Sequence, residues 1–299
     1  MTTLTRSIEY LSPIIDSYVR SVPEKALVVG ISGPQGSGKS YLTNELGPQL
    51  RVLYPKLNIV LFLMDDLYLT HEDQLELTSR SREYMDDNKL LQGRGLPGTH
   101  DITLGADLFS KLMNRSPELA TRKISIPFYD KGAFNGEGDR SPECNWNVVQ
   151  TPVDVIIFEG WFNGFQPLSF DQLRVKYLTS DLNKSVLQRH KMFHVEQVNE
   201  NLKEYAKLWS LFDYFIYLET DSLQNVYNWR LEQEHYLKAT TPAGTGMTDE
   251  EVVRFVDRYM PIYELYYDTM CSNGCVPIGG HNLKLVIDAK RNILDSMIY

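Results

Sequence analysis

The sequence predicts an α/β fold, a five-stranded parallel sheet with helices on both faces. Three observations carry that prediction. Short apolar runs recur at residues 26–32, 58–64, 153–158, 213–218 and 283–288. The second of them, Asn58-Ile59-Val60-Leu61-Phe62-Leu63-Met64, is apolar almost throughout, as a strand buried on both faces is. Helix-compatible stretches separate the runs, and strand–helix–strand alternation gives parallel pairing through crossovers.

Residues 4–22 are amphipathic, with Ile8, Leu11, Ile14, Ile15, Tyr18 and Val19 at helical spacing before Pro23. The first strand then runs into Gly33-Pro34-Gln35-Gly36-Ser37-Gly38-Lys39-Ser40, and a helix follows from Tyr41 to about Leu50. That loop fits G-x-x-x-x-G-K-[ST] at every fixed position and lies between a strand and a helix, the context the motif requires. Its glycines let the backbone wrap tightly, so that N–H groups and the positive end of the helix dipole face an anion. Lys39 is placed to reach β- and γ-phosphates, and the Ser40 hydroxyl to ligate Mg²⁺. Residues 33–40 with Tyr41 are the expected nucleotide contacts, and the fold they specify is that of the P-loop NTPases.

The second strand ends in Asp65-Asp66, at the carboxyl end where open α/β sheets keep their ligands. Residues 70–92 read as helix, 93–101 as a Gly-rich loop, 102–114 as helix and 123–127 as a short strand. A second dense loop covers 128–140, and the third main strand ends in Phe158-Glu159-Gly160, an apolar strand delivering one acid toward a nucleotide's metal. Residues 181–209 read as helix, and 222–238 as a helix carrying Trp229-Arg230. Thr248 and Glu251 form a capping box, and Pro261 is expected to kink or restart the helix that follows. Residues 282–288 are read as the last strand. One domain spans 1–299, with 66–150 as a substrate-side insertion.

Composition narrows the partners. The 30 Lys and Arg against 39 Asp and Glu give a net charge of -9, which argues against nucleic acid or an anionic membrane as partner. No apolar run is long enough to cross a bilayer and no signal peptide is visible. Three cysteines, Cys144, Cys271 and Cys275, suit a reducing compartment, so the expectation is a cytoplasmic protein with a small-molecule partner. The oligomeric state is not readable from the sequence, and a monomer is the default expectation.

Phosphoryl transfer needs an anion cradle, a metal, a group that positions the acceptor, and positive charge on the transition state. Residues 33–40 supply the cradle, Ser40 and Glu159 the metal ligands, and Asp65 the candidate base. Arg230 is either the mobile cation, on a helix acting as a lid, or an ion-pair partner of Glu234 four residues on. A guanine-reading Asn/Thr-Lys-x-Asp is missing: Asn183-Lys184-Ser185-Val186 lacks the acid. A small-molecule kinase fits better than a GTPase or a motor.

These residues resemble a known family. The P-loop, Asp65-Asp66-Leu67-Tyr68 and Phe158-Glu159-Gly160 are similar to P-loop kinases that include uridine kinase, phosphoribulokinase and pantothenate kinase. Arg94-Gly95-Leu96-Pro97-Gly98-Thr99-His100-Asp101 resembles a signature of D-glycerate 3-kinases. So do Tyr129-Asp130-Lys131, Gly136-Glu137-Gly138-Asp139-Arg140, Glu159-Gly160-Trp161-Phe162-Asn163-Gly164-Phe165, Trp229-Arg230 and the stretch Met247 to Pro261. The likeness is greatest to fungal members described as probable ATP-dependent kinases. The resemblance implies ATP- and Mg²⁺-dependent phosphorylation of a small hydroxylated metabolite, D-glycerate or a related sugar acid. It also implies Asp65 as catalytic base and Glu159 as the metal's carboxylate. Leu67, Leu96 and Gly132 depart from the pattern, standing where an aromatic, Asn and Ser are usual. A hydroxy acid needs a cation for its carboxylate, and Arg94, Lys131 and Arg140 offer one. Asp101, Asp130 and Asp139 beside them either neutralise these cations or grip substrate hydroxyls. Asp66, Arg94, His100, Asp101, Tyr129, Lys131 and Arg140 are thus the candidate acceptor contacts. The alternatives are a nucleoside, pantothenate-like or sugar-phosphate acceptor, or an ATP-binding switch with little turnover.

Overall fold

The computed structural model describes residues 1–21, 23–116, 122–181, 185–240 and 246–299. In chain order the elements are α1 (Thr3–Arg20), β1 (Leu27–Ser32), α2 (Lys39–Leu53), β2 (Ile59–Leu63), α3 (His71–Tyr84) and α4 (Ile102–Met113). Four short strands follow, β3 (Lys123–Ile126), β4 (Tyr129–Asp130), β5 (Asp139–Arg140) and β6 (Asn147–Gln150), then β7 (Val155–Glu159). The remainder is α5 (Phe170–Thr179), α6 (Met192–Trp209), β8 (Tyr214–Thr220), α7 (Gln224–Thr240), α8 (Asp249–Asp257), α9 (Met260–Asn273), β9 (Asn282–Ile287) and β10 (Ile293–Ile298).

All five expected strands are present, but the main sheet has six, in the order β10-β9-β8-β1-β7-β2. The extra strand, β10, pairs antiparallel with β9 at the edge, and β9 is therefore not the last. Asp295 and Ser296 interrupt its apolar run, and Leu294, Met297 and Ile298 stay exposed, so its sequence lacks the buried pattern of the inner strands. Between β2 and β7 lie two two-stranded sheets, β3 with β6 and β4 with β5.

Two helix expectations need correction. The helix expected over 70–92 stops at Tyr84, because Asp86 and Asp87 adopt left-handed backbone with φ of 53 and 58. The helix expected over 181–209 begins only at Met192, after a 3₁₀ turn at Leu187–Arg189, and residues 182–184 of that stretch lie outside the described residues. Helix α5 escaped notice because it buries only Leu173 and shows no apolar stripe. The Thr248–Glu251 capping box is present, and Pro261 sits in the first turn of α9, where its missing N–H costs nothing.

Alternating side chains of the inner strands feed two cores. Val28, Ile156 and Phe158 point into one, beneath α4, α6 and α9, while Val29, Val155 and Ile157 point into the other, beneath α1 and α2. Burial on both faces explains why these strands read as apolar runs. The register then places the functional residues. Glu159 pairs with Ile31 on one side and Leu63 on the other. The loop after β1, the acid ending β7 and the aspartates after β2 therefore emerge side by side at the carboxyl ends of adjacent strands.

Candidate active site

The loop of residues 33–38 is held from outside. Gly36 has φ +83, and a Cβ there would lie 2.5 Å from Trp229 Cβ, so no larger residue fits. The Gln35 N–H donates to the Tyr263 hydroxyl at 3.0 Å, and Arg291 Nε donates to the Gly36 carbonyl at 2.8 Å. Helix α2 starts at Lys39, with Gly38 as its left-handed N-cap and no side chain capping it. The N-terminal dipole end is thus left for an anion. The buried Ser37 hydroxyl has no partner among the described residues, one more donor facing none.

Beside the loop, Ser40 Oγ donates to Glu159 Oε2 at 3.0 Å, and Lys39 Nζ lies 4.0 Å from Glu159 Oε1. Burial pushes the Glu159 carboxyl above its ordinary range, opposed by Lys39 and reinforced by the charge of Asp65. Asp65 starts the turn after β2, and Lys131 Nζ reaches its Oδ2 at 2.5 Å. Burial pushes Asp65 up, but Lys131, the Tyr68 hydroxyl and Lys39 outweigh it, and the net shift is downward. Two neighbouring acids are thereby driven apart, Asp65 toward the carboxylate and Glu159 toward the acid.

One cleft of about 1000 Å³ is lined by Lys39, Ser40, Asp65, Arg94, Lys131, Glu159 and Arg230. Of the two readings given to Arg230, the ion pair with Glu234 is the one observed. It lines the cleft, and it pairs with the buried Glu234 while lying 4.7 Å from the centre of the Phe255 ring. Arg258 lines the same cleft and was missed, because from sequence it is one cation between two helices.

Other expected acceptor contacts are engaged elsewhere. Asp66 accepts from the Leu63 N–H at 3.1 Å and the Tyr129 N–H at 3.3 Å, tying β4 to the end of β2. Burial raises its carboxyl to about 6 against those two hydrogen bonds. Asp101 caps α4 through the Leu104 N–H at 2.9 Å and pairs with Arg140 at 3.2 Å, while Arg140 also donates to the Tyr68 carbonyl at 2.8 Å. His100 is buried, with Nδ1 2.8 Å from the Tyr205 hydroxyl and its ring 4.5 Å from that of Tyr68. Burial drops its pKa to about 3, so the ring is neutral. Tyr129 is buried with its ring 5.1 Å from Tyr68. None of these five lines the cleft. His100, Tyr129 and Arg140 pack against Tyr68, which lines the cleft with Asp65. Tyr41 lies on the exposed side of α2, away from the cleft lining.

The Lys131–Asp65 pair makes a pH prediction. Removing the ammonium leaves burial to dominate, so Asp65 protonates at higher pH. In Lys131→Met the acidic limb of the kcat/KM profile moves upward in pH relative to the parent. An unmoved limb would show that the group titrating there is not Asp65.

No family model matches the chain. It is 40% identical over 294 residues to the probable ATP-dependent kinase TDA10 of Saccharomyces cerevisiae, covering 98% of this chain and 95% of that one. It is 35% identical over 270 residues to the chloroplastic D-glycerate 3-kinase of Arabidopsis thaliana, covering 89% of this chain and 53% of that one. Among solved structures, D-glycerate 3-kinase from Cryptococcus neoformans is 36% identical with a TM-score of 0.87, and each chain is covered to 100%. With a P-loop, a strand-end glutamate and an aspartate meeting in one cleft, the chain belongs to the family of ATP-dependent P-loop kinases that includes D-glycerate 3-kinase.

Proposed function

We propose that the protein transfers the γ-phosphoryl group of MgATP to a hydroxyl of a small hydroxy acid, with D-glycerate as first candidate. The observation that carries this reading is the facing of two pairs across one cleft: Ser40 with Glu159 on the nucleotide side, and Lys131 with Asp65 on the insertion side. Lys39 and the amides of residues 33–40 would hold the phosphates. Asp65, kept ionised, would orient the acceptor hydroxyl and take its proton. Residues 66–150 would supply most of the acceptor side.

The donor set suits magnesium. Ser40 and Glu159 are hard oxygen ligands, and no group of three or more His, Cys, Asp or Glu among the described residues is arranged to hold a metal by itself. An ion with one or two protein ligands, completed by water and phosphate oxygens, is the Mg²⁺ habit. Bound there, Mg²⁺ would neutralise charge on the transferring phosphoryl group.

The departures from the glycerate kinase pattern are compatible with that acceptor. Leu67 and Leu96 are wholly buried in the larger core, and neither they nor Gly132 line the cleft. No described helix is long and apolar enough to cross a membrane, and the cysteines are free, which fits the proposed cytoplasmic setting.

The test is ADP release from MgATP with D-glycerate and a panel of other hydroxy acids, sugars and nucleosides, using Lys39→Ala as blank. Turnover with glycerate that vanishes in the blank supports the reading. Turnover only with a nucleoside or neutral sugar moves the acceptor, and ATP binding without turnover on any acceptor favours a switch.

A further inference from the structure

Every carboxylate lining the cleft is already committed. Asp65 pairs with Lys131, Glu159 with Ser40 and Lys39, and Glu137 with His71 at 2.7 Å. Among the cations, Arg230 is paired with Glu234, and Arg82 stands near Asp87. Arg94 and Arg258 remain without a carboxylate among the described residues. Arg94 donates through Nη1 to the backbone carbonyls of Gly136, at 2.9 Å, and Glu137. Arg258 donates through Nη2 to the Gly93 carbonyl, and its buried Nε has no partner. A guanidinium has five donors, so both arginines hold N–H groups in reserve.

Both line the cleft and meet at one loop, where Arg258 contacts Gly93, the residue before Arg94. A Cβ on Gly93, which has φ +98, would lie 3.1 Å from Arg258 Nη1. Tyr259 packs its ring where a Cβ on Gly95 would lie, and Trp161 Nε1 donates to the Gly95 carbonyl at 3.0 Å. Gly93 is therefore held by Arg258 and Gly95 by Tyr259 and Trp161, while the side chain of Arg94 between them turns to the carbonyls of residues 136–137. Arg94 lies 5.6 Å from the centre of the Tyr129 ring, which packs on Tyr68, and it lines the cleft together with Tyr68, Lys131 and Asp65. ATP has its own cradle on the opposite side, at the start of α2.

We infer that Arg94 and Arg258 form a paired guanidinium site for the anionic end of the acceptor, with Arg258 a specificity-determining residue. The inference rests on the acceptor side assigned under the proposed function. A carboxylate meets two guanidinium forks through charge-assisted hydrogen bonds, which a neutral amide or alcohol cannot reproduce. An acceptor anchored there by its acid end would present its hydroxyl to Asp65 in the same cleft.

The experiment compares D-glycerate, its amide and glycerol as acceptors for the parent chain, Arg258→Gln, Arg258→Lys and Arg94→Gln. The expected result is a fall of roughly 30-fold or more in kcat/KM for glycerate in Arg258→Gln, mostly through KM for the acceptor. The preference for acid over amide should collapse with it, Arg258→Lys should recover part of that preference, and KM for ATP should stay unchanged. A purely structural role would lower activity on acid and amide alike. Retention of the acid preference in Arg258→Gln overturns the inference while leaving glycerate phosphorylation intact. So does a change confined to kcat or to KM for ATP, which would make Arg258 a phosphate contact. A parent chain that phosphorylates only neutral acceptors overturns both the inference and the hydroxy-acid reading, with the kinase assignment untouched.

Discussion

Asp65→Asn is expected to lower kcat by about 10²- to 10⁴-fold, the usual contribution of a positioned general base, while ATP affinity stays within a few-fold of the parent. The asparagine is nearly isosteric, so the turn after β2 and the contact with Tyr68 survive. The amide cannot accept the proton of an acceptor hydroxyl. Asp65 is suited to the role because Lys131 keeps it ionised despite burial. The check pairs steady-state ADP release with a direct nucleotide-binding titration. Near-parental turnover would remove Asp65 from the chemistry. Loss of ATP binding would instead mark it as part of the nucleotide site.

The second large effect is expected at Lys39. Lys39→Ala should cost about 10²- to 10³-fold or more in kcat, because a fixed cation aimed at developing charge is worth that much in a water-poor site. The variant should also bind ATP more weakly, the difference that separates it from Asp65→Asn. A further loss arises through Glu159, whose buried carboxyl is opposed in its upward shift chiefly by the Lys39 charge. Without Lys39 that acid protonates more readily and becomes a poorer metal ligand. The variant should therefore need more Mg²⁺ and lose less activity at alkaline pH than at neutral pH. A magnesium titration at two pH values reads both effects.

Much of this site was legible in the sequence, for a physical reason. A P-loop encodes its function locally: the glycines, the lysine and the helix start are contiguous, so residues 33–40 could be assigned as a block. Glu159 and Asp65 were legible because each closes an apolar strand, and neighbouring strands of a parallel sheet end at the same edge. The acceptor side was not encoded in this way. Asp66, Asp101 and Arg140 look like acceptor contacts in the sequence, but backbone amides, a helix start and one another occupy them. Which charges a loop spends on its own architecture is decided by tertiary contacts across tens of residues. Arg258 shows the converse. It reads as an ordinary cation between two helices, and only folding brings it against Gly93, 165 residues earlier. The edge strand β10 was missed because it is half solvated, and a half-solvated strand with two polar residues lacks the apolar signature.

The straps on the P-loop bear on how the protein acquires its activity. Gln35 is tied to Tyr263 across 228 residues, and Gly36 to Arg291 across 255. Closing loops of that length is entropically costly, and contacts at such separation form late and slowly. The phosphate cradle is therefore finished only when α9 and the turn after β9 have docked, although its own residues lie near the start of the chain. Nucleotide bound in the completed cradle stabilises that state by mass action. During refolding, recovery of ATP binding should coincide with the last step of burial around Trp229, and added nucleotide should slow unfolding.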